Sequence, residues 1–171
     1  AITIGYSDDI INNAVKNQLE KGTIFSLASS LEYKLSKKLI ELIPSAEMVK
    51  FGKNGSDVTT AAIRLSRAHT KKDYILACGY HGWHDWYIGT TSKNSGVPKN
   101  SINTDTFQYN NIESLALKLE KHKGNVAAII LEPMNINFPE NNFLEEVKKL
   151  SDVNNCVLIF DETVTGFRYD L

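Results

Sequence analysis

Two acids, Asp161 and Glu162, follow directly on the apolar run 156–160. A carboxylate at the end of a buried strand is costly to keep charged unless something pairs with it. A protonated pyridine nitrogen is such a partner, and the carboxylate would hold the proton on the ring. A solvent-exposed acid pair fits the same spacing, so both readings stand on these residues alone.

The stretch GKNGSD, residues 52–57, offers a second kind of chemistry. Gly52 and Gly55 let backbone approach a ligand closely, and Ser56 opens a helical pattern. Free N–H groups and the helix dipole at such a start can hold a phosphate. An N-cap behind a glycine turn is the plainer reading. The spacing is that of neither a Walker loop nor the dinucleotide fingerprint. Asn54-Gly55-Ser56 also matches a glycosylation sequon, although nothing else in the chain reads as secreted.

The third candidate is GYHGWHDW, residues 79–86. His81, His84 and Asp85 invite a metal assignment, but the spacing is not that of a recognised site and no cysteine completes one. Tyr80, between glycines that permit close approach, could present its ring to a flat ligand. Trp83 and Trp86 fit a structural aromatic cluster equally well.

The elements that must position these residues alternate. A helix is expected from Ser7, as cap, to about Lys21, with Ile11, Ala14, Val15 and Leu19 on one face and Gly22 as its stop. A second begins near Ser30, carries Leu31, Leu35, Leu39 and Leu42, and ends before Pro44. EMVKF reads as a short strand, and a helix then runs from Ser56 towards Ala68. YILAC, VAAIIL and CVLIF read as strands, with helices around 112–119 and from about Asn142 to Leu150 between them. The stretch 79–105 is long for a passive connection, which marks it as functional or partly mobile. Strands without polar alternation, separated by helices, predict an α/β fold with a mainly parallel sheet covered by helices on both faces. Ligands of such sheets bind beyond the carboxyl ends of the strands, where 52–57, 79–86, LEPMNIN and DETVTGFR all fall.

At 171 residues, 42% hydrophobic and 23% charged, the chain has ordinary globular composition. A net charge of -1 gives no electrostatic case for nucleic acid or an anionic membrane. No apolar run is long enough to span a bilayer, and the first ten residues do not read as a signal peptide. The 2 cysteines, Cys78 and Cys156, sit in apolar runs and read as buried free thiols of a reducing, cytoplasmic compartment.

Four blocks in order, 41–70, GYHGWHDW, VAAIILEP and LIFDETVTGFR, resemble the class III aminotransferases, fold-type I pyridoxal phosphate (PLP) enzymes, and most closely their glutamate-1-semialdehyde 2,1-aminomutase branch. The resemblance covers nearly the whole chain. It implies that Gly55 and Ser56 bind the cofactor phosphate, that Tyr80 stacks on the pyridine ring with His81 beside it, and that Asp161 pairs with the ring nitrogen. Glu132 would support the site, and Asn137 would lie near the phenolic oxygen. Two departures stand out: KNGS replaces the more usual Asn-Ser-Gly-Thr or Asn-Ser-Gly-Ser, and DET replaces Asp-Glu-Val, so that Thr163 would pack beneath the ring.

The same resemblance implies that residues 1–171 are part of the cofactor-binding large domain. An N-terminal segment, the Schiff-base lysine and the C-terminal domain would belong to other parts of a longer protein, and these 171 residues alone would be inactive. The expected activity is amino-group transfer to a small amino acid, aldehyde or keto substrate, by a homodimer with its sites at the subunit interface. The alternatives are an intermolecular aminotransferase acting on another amino acid, amine or sugar, and a non-catalytic phosphate-binding α/β module.

Overall fold

The structure, a computed structural model, describes residues 3–98, 102–134 and 136–168. Residues 99–101 of the long stretch and Asn135 of LEPMNIN therefore lie outside the described residues. The chain forms two compact units, one comprising 1–51 with 166–171 and the other Gly52–Thr165.

The first unit holds helices α1 (Asp9–Leu19) and α2 (Ser30–Leu42). Asp8, rather than Ser7, caps α1, its carboxylate accepting from Ile11 N–H at 3.0 Å. The cap wins because an acid there also complements the helix dipole. Helix α1 ends at Leu19, short of the expected Lys21. Ser29 starts α2 through a capping box with Glu32. Neither helix has a buried residue, and Val15, Leu19 and Leu31 on their apolar stripes stay exposed. The expected strand at 47–51 is not formed, because no described segment runs beside it to complete a ladder.

The second unit is an α/β layer structure. Helix α3 (Gly55–Thr70) leads into strand β1 (Tyr74–Cys78), followed by a short helix α4 (Asp85–Ile88) and strand β2 (Thr104–Thr106). Helix α5 (Ile112–Lys121), strand β3 (Val126–Leu131), helix α6 (Phe143–Val153) and strand β4 (Val157–Phe160) complete it. The strands lie in the order β2-β1-β3-β4, and every pairing is parallel. Helix α4 falls in the stretch expected to be a functional or mobile connection, and β2 begins at its end. A three-residue polar strand, Thr-Asp-Thr, carries too little apolar signal to be seen in the sequence.

The uniformly apolar strands work as expected: successive side chains alternate between two faces, and both faces are covered. On one face Leu76 and Cys78 of β1 and Ile129 and Leu131 of β3 pack with Leu115, Leu119 and Val147 of α5 and α6. On the other, Ile75, Ala77, Ala128 and Ile130 pack with Ile63 of α3 and with Trp86 and Tyr87. All six residues of β3 are buried, whereas β4 at the sheet margin is half-buried and ends in the exposed Phe160. Both thiols are free. Burial pushes each of them up to about 11, with Glu132 adding to the effect at Cys78.

Candidate cofactor site

The parallel register brings the candidate residues to one edge. Cys78 is in register with Leu131, and Leu131 with Phe160, so β1, β3 and β4 end level. The residues that follow them, Gly79, Glu132 and Asp161, are therefore neighbours. Their backbones continue the ladder, with Glu132 N–H donating to Cys78 O at 3.3 Å and Asp161 N–H to Leu131 O at 2.9 Å. The start of α3 comes to the same edge. A cavity of about 390 Å³ opens there, lined by Asn54, Gly55, Ser56, Tyr80, His81, Gly82, Trp83, Glu132, Asp161, Thr163 and Val164. That volume suits a small-molecule ligand.

Asp161 forms a buried acidic wall, with its side chain only 7% exposed. Its Oδ2 lies 2.9 Å from His81 Nδ1, and its Oδ1 accepts from the Thr163 hydroxyl at 2.7 Å and the Thr163 N–H at 3.2 Å. Burial pushes this carboxyl up, but the hydrogen bonds from His81 and Thr163 outweigh it and hold it below the ordinary carboxylate value. The imidazole of His81 is fully enclosed, and its other nitrogen, Nε2, lies 3.1 Å from Cys78 O. A carbonyl can only accept, so Nε2 carries a hydrogen. Nδ1 faces the carboxylate, and the hydrogen bond between them favours the charged form of the acid. His81, expected among the cofactor contacts, thus acts on Asp161. Thr163, expected beneath the ring, also spends its hydroxyl on Asp161, a bond that valine could not make.

Tyr80 is 59% exposed, with its ring edge-on to Tyr87 at 5.7 Å. Its backbone is fixed by Glu132, whose Oε2 accepts the Tyr80 N–H at 2.9 Å. Gly79 makes that possible: at φ +105°, any Cβ there would stand 2.5 Å from Glu132 Oε2. Glu132 therefore fixes the backbone of Tyr80 at the edge of the cavity.

Asn54 caps α3 and Gly55 is its first residue, so Ser56, expected to open the helix, sits one position inside it. The Ser56 hydroxyl accepts from Trp83 N–H at 3.4 Å, and Thr59 Oγ1 donates to His81 O at 3.1 Å. These contacts tie the first turn of α3 to the loop after β1. Asn137 is exposed and lines a different cavity, of about 200 Å³, with Cys78, Gly79, Tyr109 and Glu132. The structure thus brings Gly55, Ser56, Tyr80, His81, Glu132, Asp161 and Thr163 together and leaves Asn137 next door, with Glu132 common to both cavities. Asn54, read as part of a sequon, and Trp83, read as part of an aromatic cluster with Trp86, also line the cavity. An asparagine three residues before Asp57 was a usable cap signal, but nothing marked Trp83 as a wall. His84 and Asp85 do not join the cavity, and among the described residues no three His, Cys, Asp or Glu could hold a metal ion.

A level parallel edge beside a helix start, with a buried acid and an exposed tyrosine, is where parallel α/β sheets bind their ligands. Residues 1–168 match the family described as Aminotransferase class-III, and the chain belongs to it. It is 43% identical over 177 residues to the 3-aminobutyryl-CoA aminotransferase of Cloacimonas acidaminovorans (strain Evry), covering 99% of this chain and 42% of that protein. To the glutamate-1-semialdehyde 2,1-aminomutase of Acetivibrio thermocellus it is 38% identical over 181 residues, covering 96% of this chain and 42% of that protein. Among solved structures, the PLP internal aldimine form of the Sphingopyxis sp. MTA144 FumI protein superposes with a TM-score of 0.87 at 27% identity, covering 95% of this chain and 41% of that one. The chain thus spans about 42% of the length of these curated relatives.

Proposed function

We propose that these residues form the cofactor-binding part of a PLP-dependent enzyme that moves amino groups on small molecules. The observation that carries this is Asp161: a buried, ionised carboxylate in the wall of a cavity that also holds a helix start and an exposed tyrosine ring. The donor set fits the cofactor. Oδ1 of Asp161 already accepts two hydrogen bonds and Oδ2 one, which leaves one acceptor position on Oδ2 for a pyridinium N–H.

Gly55 and Ser56 would hold the phosphate, Tyr80 would cover the ring and Asn137 would lie towards the phenolic oxygen. When bound, the cofactor supplies an electron sink. The chain's own part is to keep a proton at the ring nitrogen through Asp161, to hold Asp161 in place through His81 and Thr163, and to fix Tyr80 through Glu132. Family membership supports this over a non-catalytic phosphate-binding module. Residues 1–171 would be one part of the large domain, with the Schiff-base lysine elsewhere in the longer protein.

The expected reaction is that of an aminomutase, in which nitrogen is given to one carbon of glutamate-1-semialdehyde and recovered from its neighbour. An intermolecular aminotransferase is the second reading, supported by the 43% identity to a 3-aminobutyryl-CoA aminotransferase. Turnover of glutamate-1-semialdehyde alone, with no amino acceptor added, supports the first, and strict one-to-one consumption of an amine donor and an oxo acceptor supports the second. A cytoplasmic homodimer is the proposed setting. Two free thiols are in keeping with a reducing compartment, and among the described residues no helix is long and apolar enough to cross a membrane.

The test uses the full-length protein. Asp161→Asn should slow single turnovers far more than it weakens PLP binding, because the phosphate contacts remain. Normal single-turnover rates in that variant would refute the pairing.

A further inference from the structure

Beside the cavity runs a second polar chain that the cofactor reading does not use. Trp86 Nε1, which can only donate, gives its N–H to Thr60 Oγ1 at 2.9 Å. Thr60 Oγ1 lies 2.8 Å from His84 Nδ1. The hydroxyl thus bonds both the indole and the imidazole, and the second ring nitrogen of His84, Nε2, is left to face α3. That nitrogen faces Asp57 Oδ1 at 3.9 Å, a gap too long for a direct hydrogen bond. Asp57 Oδ2 accepts from Asn54 Nδ2 at 2.9 Å, and Asn54 Oδ1 accepts the Asp57 N–H at 3.0 Å.

The two ends of this chain belong to different elements. Asn54, Asp57 and Thr60 form the cap and first turns of α3, where the phosphate is proposed to sit. His84 and Trp86 belong to the segment that follows Tyr80, the proposed ring cover. On the inner side these elements are already joined through Ser56 and Thr59. His84 joins them on the outer side, and it is the link that reaches the cap residue.

We propose that His84 is a positioning residue for the cofactor phosphate, holding the first turn of α3 at a fixed spacing from the Tyr80 loop through Thr60 and Asp57. A phosphate gripped by backbone N–H groups depends on that spacing. A ring without a phosphate does not. This role rests on the cofactor reading above.

The experiment measures binding of PLP and of pyridoxal, which lacks the phosphate, to the full-length apoprotein by quenching of tryptophan fluorescence. The ratio of the two dissociation constants is the phosphate advantage. His84→Leu should lower it about tenfold, roughly the loss of one well-formed hydrogen bond. His84→Asn should keep it, because the side-chain amide, which can accept or donate, can bond the Thr60 hydroxyl in place of Nδ1. Thr60→Val, which takes the hydroxyl from both His84 and Trp86, should lower it at least as far as His84→Leu and carries the test if that variant does not fold. An unchanged phosphate advantage in folded His84→Leu or Thr60→Val overturns the role of His84 and leaves the cofactor reading intact. So does an equal loss in His84→Asn. A wild-type protein with no phosphate advantage overturns both.

Discussion

Gly82→Ala should damage the protein more than its size suggests. Gly82 has φ +96°, a region that costs an L-residue about 1–2 kcal/mol. An added Cβ would also stand 2.2 Å from Ser56 Oγ, 2.9 Å from Ser56 Cβ and 3.0 Å from Ser56 Cα. The hydroxyl can swing away, giving up its contact with Trp83 N–H, but the other two atoms cannot. Loop and helix must separate, an overpacking cost of about 1–3 kcal/mol. Gly124 is the control: its φ is +78° and a methyl group there would meet nothing within 4 Å, so alanine suffers backbone strain alone. In urea unfolding at equal m-value, Gly82→Ala should lie about 1–3 kcal/mol below Gly124→Ala. Adding Ser56→Gly to Gly82→Ala should recover much of that gap in a double-mutant cycle. Equal losses in the two single variants would refute the close approach of Gly82 to α3, and with it the rigid link between the start of α3 and the Tyr80 loop.

Two further outcomes concern acids. Burial pushes Asp105 up, but hydrogen bonds from Lys118, Lys121, His122 and the Thr106 N–H overcome this and hold it well below the usual carboxylate range. A depressed carboxyl contributes stability that is complete above the unfolded value of about 3.9 and is lost as pH falls towards the folded one. Asp105→Asn should therefore be clearly less stable than wild type at pH 7, with the gap closing in urea titrations below about pH 4; a gap that stays constant with pH would count against these pairings. Thr163→Val removes the 2.7 Å hydroxyl bond to Asp161, so the Asp161 carboxyl should titrate at higher pH than in wild type, and Thr163→Ser should restore it. Carboxyl NMR titration reads both, and coincident curves for wild type and Thr163→Val would sink the role given to the hydroxyl.

The sheet was legible because its strands are extreme. VAAIIL and YILAC are apolar on both faces, a pattern that only a covered parallel strand satisfies, and both strands have the expected bounds. Strand β2 was illegible because its three polar residues owe their pairing to β1 alone. EMVKF failed for the converse reason, since local β character forms no strand without a neighbour. At the site, Tyr80 and Asp161 converge from the ends of β1 and β4, whereas Ser56, expected to follow a strand that does not form, was placed with them through the strand order that the resemblance implied. Neither route reaches the partners of Asp161: that a histidine 80 residues away would sit behind it depends on register, which composition does not encode.

That same distance bears on how the site comes into being. His81 and Asp161 are 80 residues apart, and Tyr80 and Glu132 are 52. The Tyr80–Glu132 bond needs β3 beside β1, the His81–Asp161 bond needs β4 in place as well, and non-local parallel pairings are slow to form. No partly assembled chain can therefore offer the cavity. A ligand that fits it binds the native state alone and raises stability in proportion to the logarithm of its concentration. Amide exchange at Tyr80 and Asp161 should then slow together with that of β3 as ligand is added, so that the cavity and the sheet open as one cooperative unit.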